Sequence, residues 1–75
     1  MFPIEIFSER LSAIRIAKKI AATDVAKKLG ISKAAISQFE TGKNAPSAAI
    51  LIALADFYDV SIDYLVGRSD DPMRH

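Results

Sequence analysis

Residues 22–42 read ATDVAKKLGISKAAISQFETG, two apolar-periodic runs separated by one glycine. In the first run Val25, Ala26 and Leu29 fall on one side of a helix from about Ala22 to Leu29. Gly30 then supplies the left-handed backbone conformation that ends a helix in a tight turn. In the second run Ser32 is a good N-cap, and Ile31 and Ile36 stand at the N′ and N4 positions of a hydrophobic staple. The third helix of the chain is therefore predicted to start at Ser32, run to Thr41 and stop at Gly42. Ile36, Phe39 and Glu40 would face inward, and Lys33, Ala34, Ser37, Gln38 and Thr41 outward.

That outward face is small and polar, without the Glu and Lys pairs of an ordinary solvated helix. A short helix, a one-glycine turn and a second short helix with a mild face make helix-turn-helix geometry. Ala34, Ala35 and Ser37 would let the helix approach the floor of a nucleic-acid groove, and Lys33 and Gln38 carry donors for base edges or phosphates. On the N-terminal side, Phe7, Leu11 and Ile14 define the buried face of a first helix from about Glu5 to Ile20. On the C-terminal side, Pro46 and Ser47 open a fourth helix to about Tyr58. Val60, Ser61 and Leu65 repeat the staple-and-cap pattern for a fifth helix that ends at Gly67, and the tail 68–75 is expected to be flexible.

The chain has 75 residues, 51% of them hydrophobic, and no cysteine. Aliphatic burial must therefore supply nearly all the stability of one small domain, as fits a reducing, cytoplasmic setting. The first residues lack a signal-peptide pattern, and the longest apolar run, residues 48–55, is far shorter than the roughly 20 residues of a membrane span. The net charge of +1 hides an asymmetry. From Glu9 to Lys43 eight basic residues face three acidic ones, and from Asn44 onward two arginines face five aspartates. Such a split can present a polyanion-facing surface on a nearly neutral protein. Nothing assembles into catalytic chemistry: the one histidine, His75, is terminal, the carboxylate pair Asp70 and Asp71 lies in the tail, and no glycine-rich phosphate loop occurs. No enzyme, cofactor, metal or small-molecule ligand is expected.

Residues 26–32 (AKKLGIS) and 36–43 (ISQFETGK), with Pro46-Ser47, Leu54-Ala55-Asp56 and 60–67 (VSIDYLVG), resemble the phage repressor and Cro (Xre-like) type of helix-turn-helix family. The likeness covers about residues 6 to 69. It implies an all-α, compact five-helix lambda-repressor-like domain over about residues 6–67, preceded by an N-terminal arm, residues 1–5. It also implies a homodimer on a palindromic operator of double-stranded DNA, and regulation of transcription, as a repressor, in a bacterial or phage setting. By the resemblance, base-reading positions match Lys33, Ala34, Ser37 and Gln38. Lys33 would suit guanine O6 and N7, Gln38 adenine or a phosphate, and Ala34 a thymine methyl. Phosphate contacts map to Ser32, Thr41, Lys43 and Asn44. Arg15 and Glu40 correspond to a buried ion pair between helices one and three.

Two departures from the family pattern stand out. Helix two opens on Ala21 and Ala22, where the family has a Ser or Thr cap followed by Gln, so the cap is lost unless Thr23 shifts the start. Lys19, Lys27 or Lys28 would then compensate for the missing phosphate anchor. In helix four, Ala49, Ile50 and Ala53 extend the apolar surface much of the way round. Either these residues and Phe57 form a homodimer interface with Phe2, Ile4 and Ile6, or the N-terminal arm folds back over helix four. The alternative function is a protein-interaction or antitoxin-like module on the same fold.

Overall fold

The computed structural model describes residues 3–74, so Phe2 and His75 lie outside the described residues. Among the described residues there are five helices and no strand: α1 (Ile4–Ala17), α2 (Ala22–Leu29), α3 (Lys33–Thr41), α4 (Ala48–Tyr58) and α5 (Ile62–Leu65). None is long and apolar enough to cross a membrane. α3 lies against both α1 and α2, and α5 bridges α1 and α4. The core is built from Phe7, Leu11, Val25, Ile36, Leu54, Tyr58 and Leu65, each at most 1% exposed. Every helix contributes to it, so burial of one shared apolar interior orients all five.

Helix ends follow local chemistry. Ser32, Ser47 and Ser61 each accept a hydrogen bond from the backbone N–H three residues on, at 3.0, 3.3 and 2.9 Å, which relieves one orphan donor in α3, α4 and α5. α2 has no such cap: it starts at Ala22 with Ala21 in the cap position, and Thr23 sits inside the helix. The four later helices close on a left-handed residue, Gly30, Gly42, Asp59 or Gly67. At Gly67 this freedom is required twice over, because an added Cβ would also lie 3.1 Å from the Ile6 side chain.

α1 departs from its expected bounds. It ends at Ala17 rather than near Ile20, because Lys19 takes φ +57° and carries the left-handed closure without a glycine. The N–H groups of Lys19 and Ile20 donate back to the carbonyls of Ile16 and Arg15, at 3.0 and 3.2 Å, in a Schellman motif. At its other end α1 already includes Ile4, so part of the expected arm is helical. Ile4 lies near Gly42 and Ile6 against Gly67, at the ends of α3 and α5.

Residues 68–74 lie along the domain. Arg10 donates to the carbonyls of Tyr64 and Ser69, pairs with Asp70 at 3.0 Å, and stacks 4.1 Å above the Tyr64 ring. The N–H of Ser61 donates to Pro72 O at 3.0 Å. Arg74 reaches Asp56 at 2.6 Å and the carbonyl of Ala55 in α4, a favourable place for a cation near a helix C-terminus.

Candidate nucleic-acid interface

α3 divides cleanly into two faces. Ile36 and Phe39 are buried, and Ala35 and Glu40 are half-buried. Lys33, Ala34, Ser37, Gln38 and Thr41 are all exposed and fall at i, i+1, i+4, i+5 and i+8, which is one helical face. The outward face therefore carries one ammonium, one carboxamide, two hydroxyls and a methyl, a set able to donate to base edges while leaving room for a close approach.

Among the positions expected to touch phosphate, Ser32, Thr41, Lys43, Asn44, Lys19 and Lys27 are all exposed. Their chemistry differs. Ser32 Oγ accepts from the Ala35 N–H, which leaves its own hydroxyl hydrogen to donate outward. Thr41 Oγ1 donates to the Ser37 carbonyl at 2.9 Å, so its hydrogen is engaged within α3. Asn44 donates its side-chain amide to Gln38 Oε1, and the Gln38 carbonyl accepts from the N–H groups of Lys43 and Asn44 at 2.9 and 3.4 Å. The loop after α3 is thus tied to the helix at Gln38 through both its backbone and a side chain. Lys27 stands in the last turn of α2 and Lys19 in the α1–α2 turn.

Two polar links between α1 and α3 hold this face in place. Arg15 grips Glu40 through two parallel bonds, Nε to Oε2 at 2.7 Å and a terminal nitrogen to Oε1 at 3.0 Å, and its third nitrogen donates to Ile20 O at 3.0 Å. The carboxylate holds the guanidinium pKa above its ordinary value, against the opposing cost of burial. The second link is Ser8, buried in α1, whose Oγ donates to Phe39 O at 2.8 Å. Sequence reading passed over Ser8 and also Arg10. A small hydroxyl beside Phe7 and one turn before Leu11, on the inward face of α1, was the available signal.

Beside the Arg15–Glu40 pair lies Tyr58, whose buried hydroxyl has no hydrogen-bond partner among the described residues. Burial pushes its pKa up to about 12, the Glu40 carboxylate adds to the rise, and Arg15 opposes it. Because the folded state favours the neutral phenol, this contribution to stability is whole below pH about 10 and is lost as the pH rises through about 12. Tyr58→Phe is expected to melt at or above the wild type at pH 7, since an unpaired buried hydroxyl is a cost. Its melting temperature should fall less than that of the wild type between pH 10 and 12. A variant less stable than the wild type at pH 7 would show that the hydroxyl has a partner.

The expected dimer residues differ in exposure. Ala49 is exposed, and Ile50, Ala53 and Phe57 are half-buried, with Ile50 and Phe57 packed against the core and the Phe57 ring edge-on to Tyr58 at 4.9 Å. The large apolar side chain that α4 leaves in solvent is Ile52, 50% exposed.

Comparison with known proteins places this geometry. The helix-turn-helix family model matches residues 11–65. The chain is 38% identical over 66 residues to the uncharacterized HTH-type transcriptional regulator YobD of Bacillus subtilis, covering 88% of this chain and 59% of that protein. It is 35% identical over 60 residues to the cryptic phage CTXphi transcriptional repressor RstR of Vibrio cholerae, covering 80% of this chain and 54% of RstR. The chain thus spans a little over half the length of these curated relatives. Among solved structures, the P22 c2 repressor in complex with a synthetic operator superposes with a TM-score of 0.80 at 34% identity, covering 85% of this chain and 97% of that one. By sequence match and by superposition alike, this chain belongs to the phage repressor and Cro type of the helix-turn-helix family, with the lambda-repressor-like arrangement of five helices.

Proposed function

We propose that the protein is a sequence-specific DNA-binding regulator of transcription, a repressor, that sets α3 into the major groove of a palindromic operator as a homodimer. The observation that carries this reading is the outward face of α3, where Lys33, Ala34, Ser37 and Gln38 are all exposed on a helix fixed from behind by Ile36, Phe39 and Glu40. The likeness to a repressor bound to its operator supports it. Lys33 and Gln38 are the donors for base edges, and Ala34 and Ser37 allow the close approach. Lys43, Lys19, Lys27 and Ser32 supply backbone contacts, and such contacts position without specifying sequence.

A gel-shift titration at low salt tests the reading, and absence of any binding there would sink it in favour of a protein-interaction module. Lys33→Ala is expected to lose about 1 to 3 kcal/mol of discrimination at one base pair, whereas Lys43→Ala should weaken all sequences alike. Equal effects of both variants on every sequence would remove Lys33 from base reading.

The dimer contact in this reading runs along α4 through Ala49, Ile50, Ala53 and Phe57, with Ala49 its exposed member. Because Ile50 is packed against the core and Ala49 is exposed, Ala49→Glu is the cleaner probe. It is expected to shift sedimentation from dimer to monomer without loss of the fold; an unchanged mass would move the interface elsewhere.

A further inference from the structure

We infer that Asn44 is a positioning residue for base recognition: it holds the Gln38 carboxamide with its oxygen turned toward the loop after α3, so that the helix presents an NH2 group and selects a base edge that accepts. This rests on the proposal that α3 reads DNA.

The geometry is specific to these residues. Gln38 is exposed on the outward face of α3, and its Oε1 accepts from Asn44 Nδ2. Asn44 is itself held in register, because its N–H and that of Lys43 both donate to the main-chain carbonyl of Gln38. The loop residue is therefore clamped to the same residue whose side chain it orients. With Oε1 turned to Asn44, the NH2 group lies on the opposite side of the amide.

The chemistry of the groove turns that orientation into a preference. Adenine shows an acceptor at N7 beside a donor at N6, so the paired glutamine–adenine contact needs the amide oxygen as well as the NH2. Guanine shows two acceptors, N7 and O6, and asks only for donors. Asn44 occupies one of the two lone pairs of Oε1 and fixes its direction, which weakens the adenine contact, whereas the guanine contact uses the NH2 alone and is untouched. The expectation from residue type alone, adenine or a phosphate for Gln38, becomes guanine. Asn44, expected at a phosphate, acts through Gln38 instead.

Selection of binding sites from random DNA, followed by sequencing, tests this with the wild type, Asn44→Ala, Gln38→Ala and the double variant. Asn44 is exposed and its φ is negative, so alanine keeps the backbone bonds to Gln38; a thermal melt checks that the fold is unchanged. The base column that loses its preference in Gln38→Ala identifies the pair that Gln38 reads. In the wild type that column should favour guanine over adenine by about fivefold to tenfold. In Asn44→Ala the same column alone should shift toward adenine, and in the Gln38→Ala background the Asn44 substitution should leave that column unchanged. A wild-type column that favours adenine overturns the proposal, and so does an Asn44→Ala variant weakened equally on every sequence, which would make Asn44 a phosphate contact. In both of those cases an operator is still selected, and DNA binding stands. If the wild type selects no sequence at all, the DNA-binding reading falls and takes this one with it.

Discussion

Glu40→Ala is expected to lower the free energy of unfolding by about 3 to 5 kcal/mol. The carboxylate side chain is only 10% exposed and the Arg15 side chain 22%, and two bonds of 2.7 and 3.0 Å join them. Attraction between such charges roughly offsets the cost of taking both out of water, so the pair as a whole adds little. Removing one member is different, because Arg15 keeps its charge and loses the acceptor for two of its nitrogens. The Ile20 carbonyl still occupies the third. In a domain of this size each kcal/mol moves the melting temperature by roughly 4 to 8 °C, so the variant should melt more than about 12 °C below the wild type. Replacing both residues with apolar ones, Arg15→Met with Glu40→Leu, should restore most of that loss. A Glu40→Ala protein that melts with the wild type would show that the pair is solvated and that Ser8 and the apolar contacts alone hold α1 to α3.

Operator affinity is expected to fall about a thousandfold between 50 and 200 mM salt. If Lys19, Lys27 and Lys43 each neutralise a phosphate, a homodimer displaces about six counterions, for a log–log slope near −5. A monomer with the same contacts would give a slope near −3 and a loss of only about fortyfold over that range. Fluorescence anisotropy with a selected operator at several salt concentrations therefore reports both the electrostatic contacts and the number of chains on the DNA. A slope near zero would remove the lysines from the interface.

Helix positions were legible where the punctuation is chemical and local. Ser32, Ser47 and Ser61 cap the helices they precede, and Gly30, Gly42 and Gly67 stand where the backbone turns left-handed. At α1 the boundary was missed: Lys19 closes the helix three residues early, because nothing about a lysine announces a positive φ. The candidate reading face was legible for a similar reason, since the 3.6-residue period that places Ile36 and Phe39 inward also places Lys33, Ser37 and Gln38 outward. The bond between Gln38 and Asn44 was not, because it depends on how the loop after Gly42 folds back.

Taken alone, the sequence determined what neighbours within a few residues can decide: five helices, their serine caps and glycine stops, and the inward stripe of α3. Those features rest on hydrogen bonds and periodicity within one or two turns, and residue order specifies both. The tertiary structure alone decided which distant groups meet. Ser8 reaches the Phe39 carbonyl 31 residues away, and Arg10 binds α5 and the tail 54 to 60 residues away. It also decided the outer face of α4, a helix apolar nearly all the way round. Periodicity cannot orient such a helix; only packing against α2 and α5 shows that Ile50 is covered and Ile52 is left in solvent.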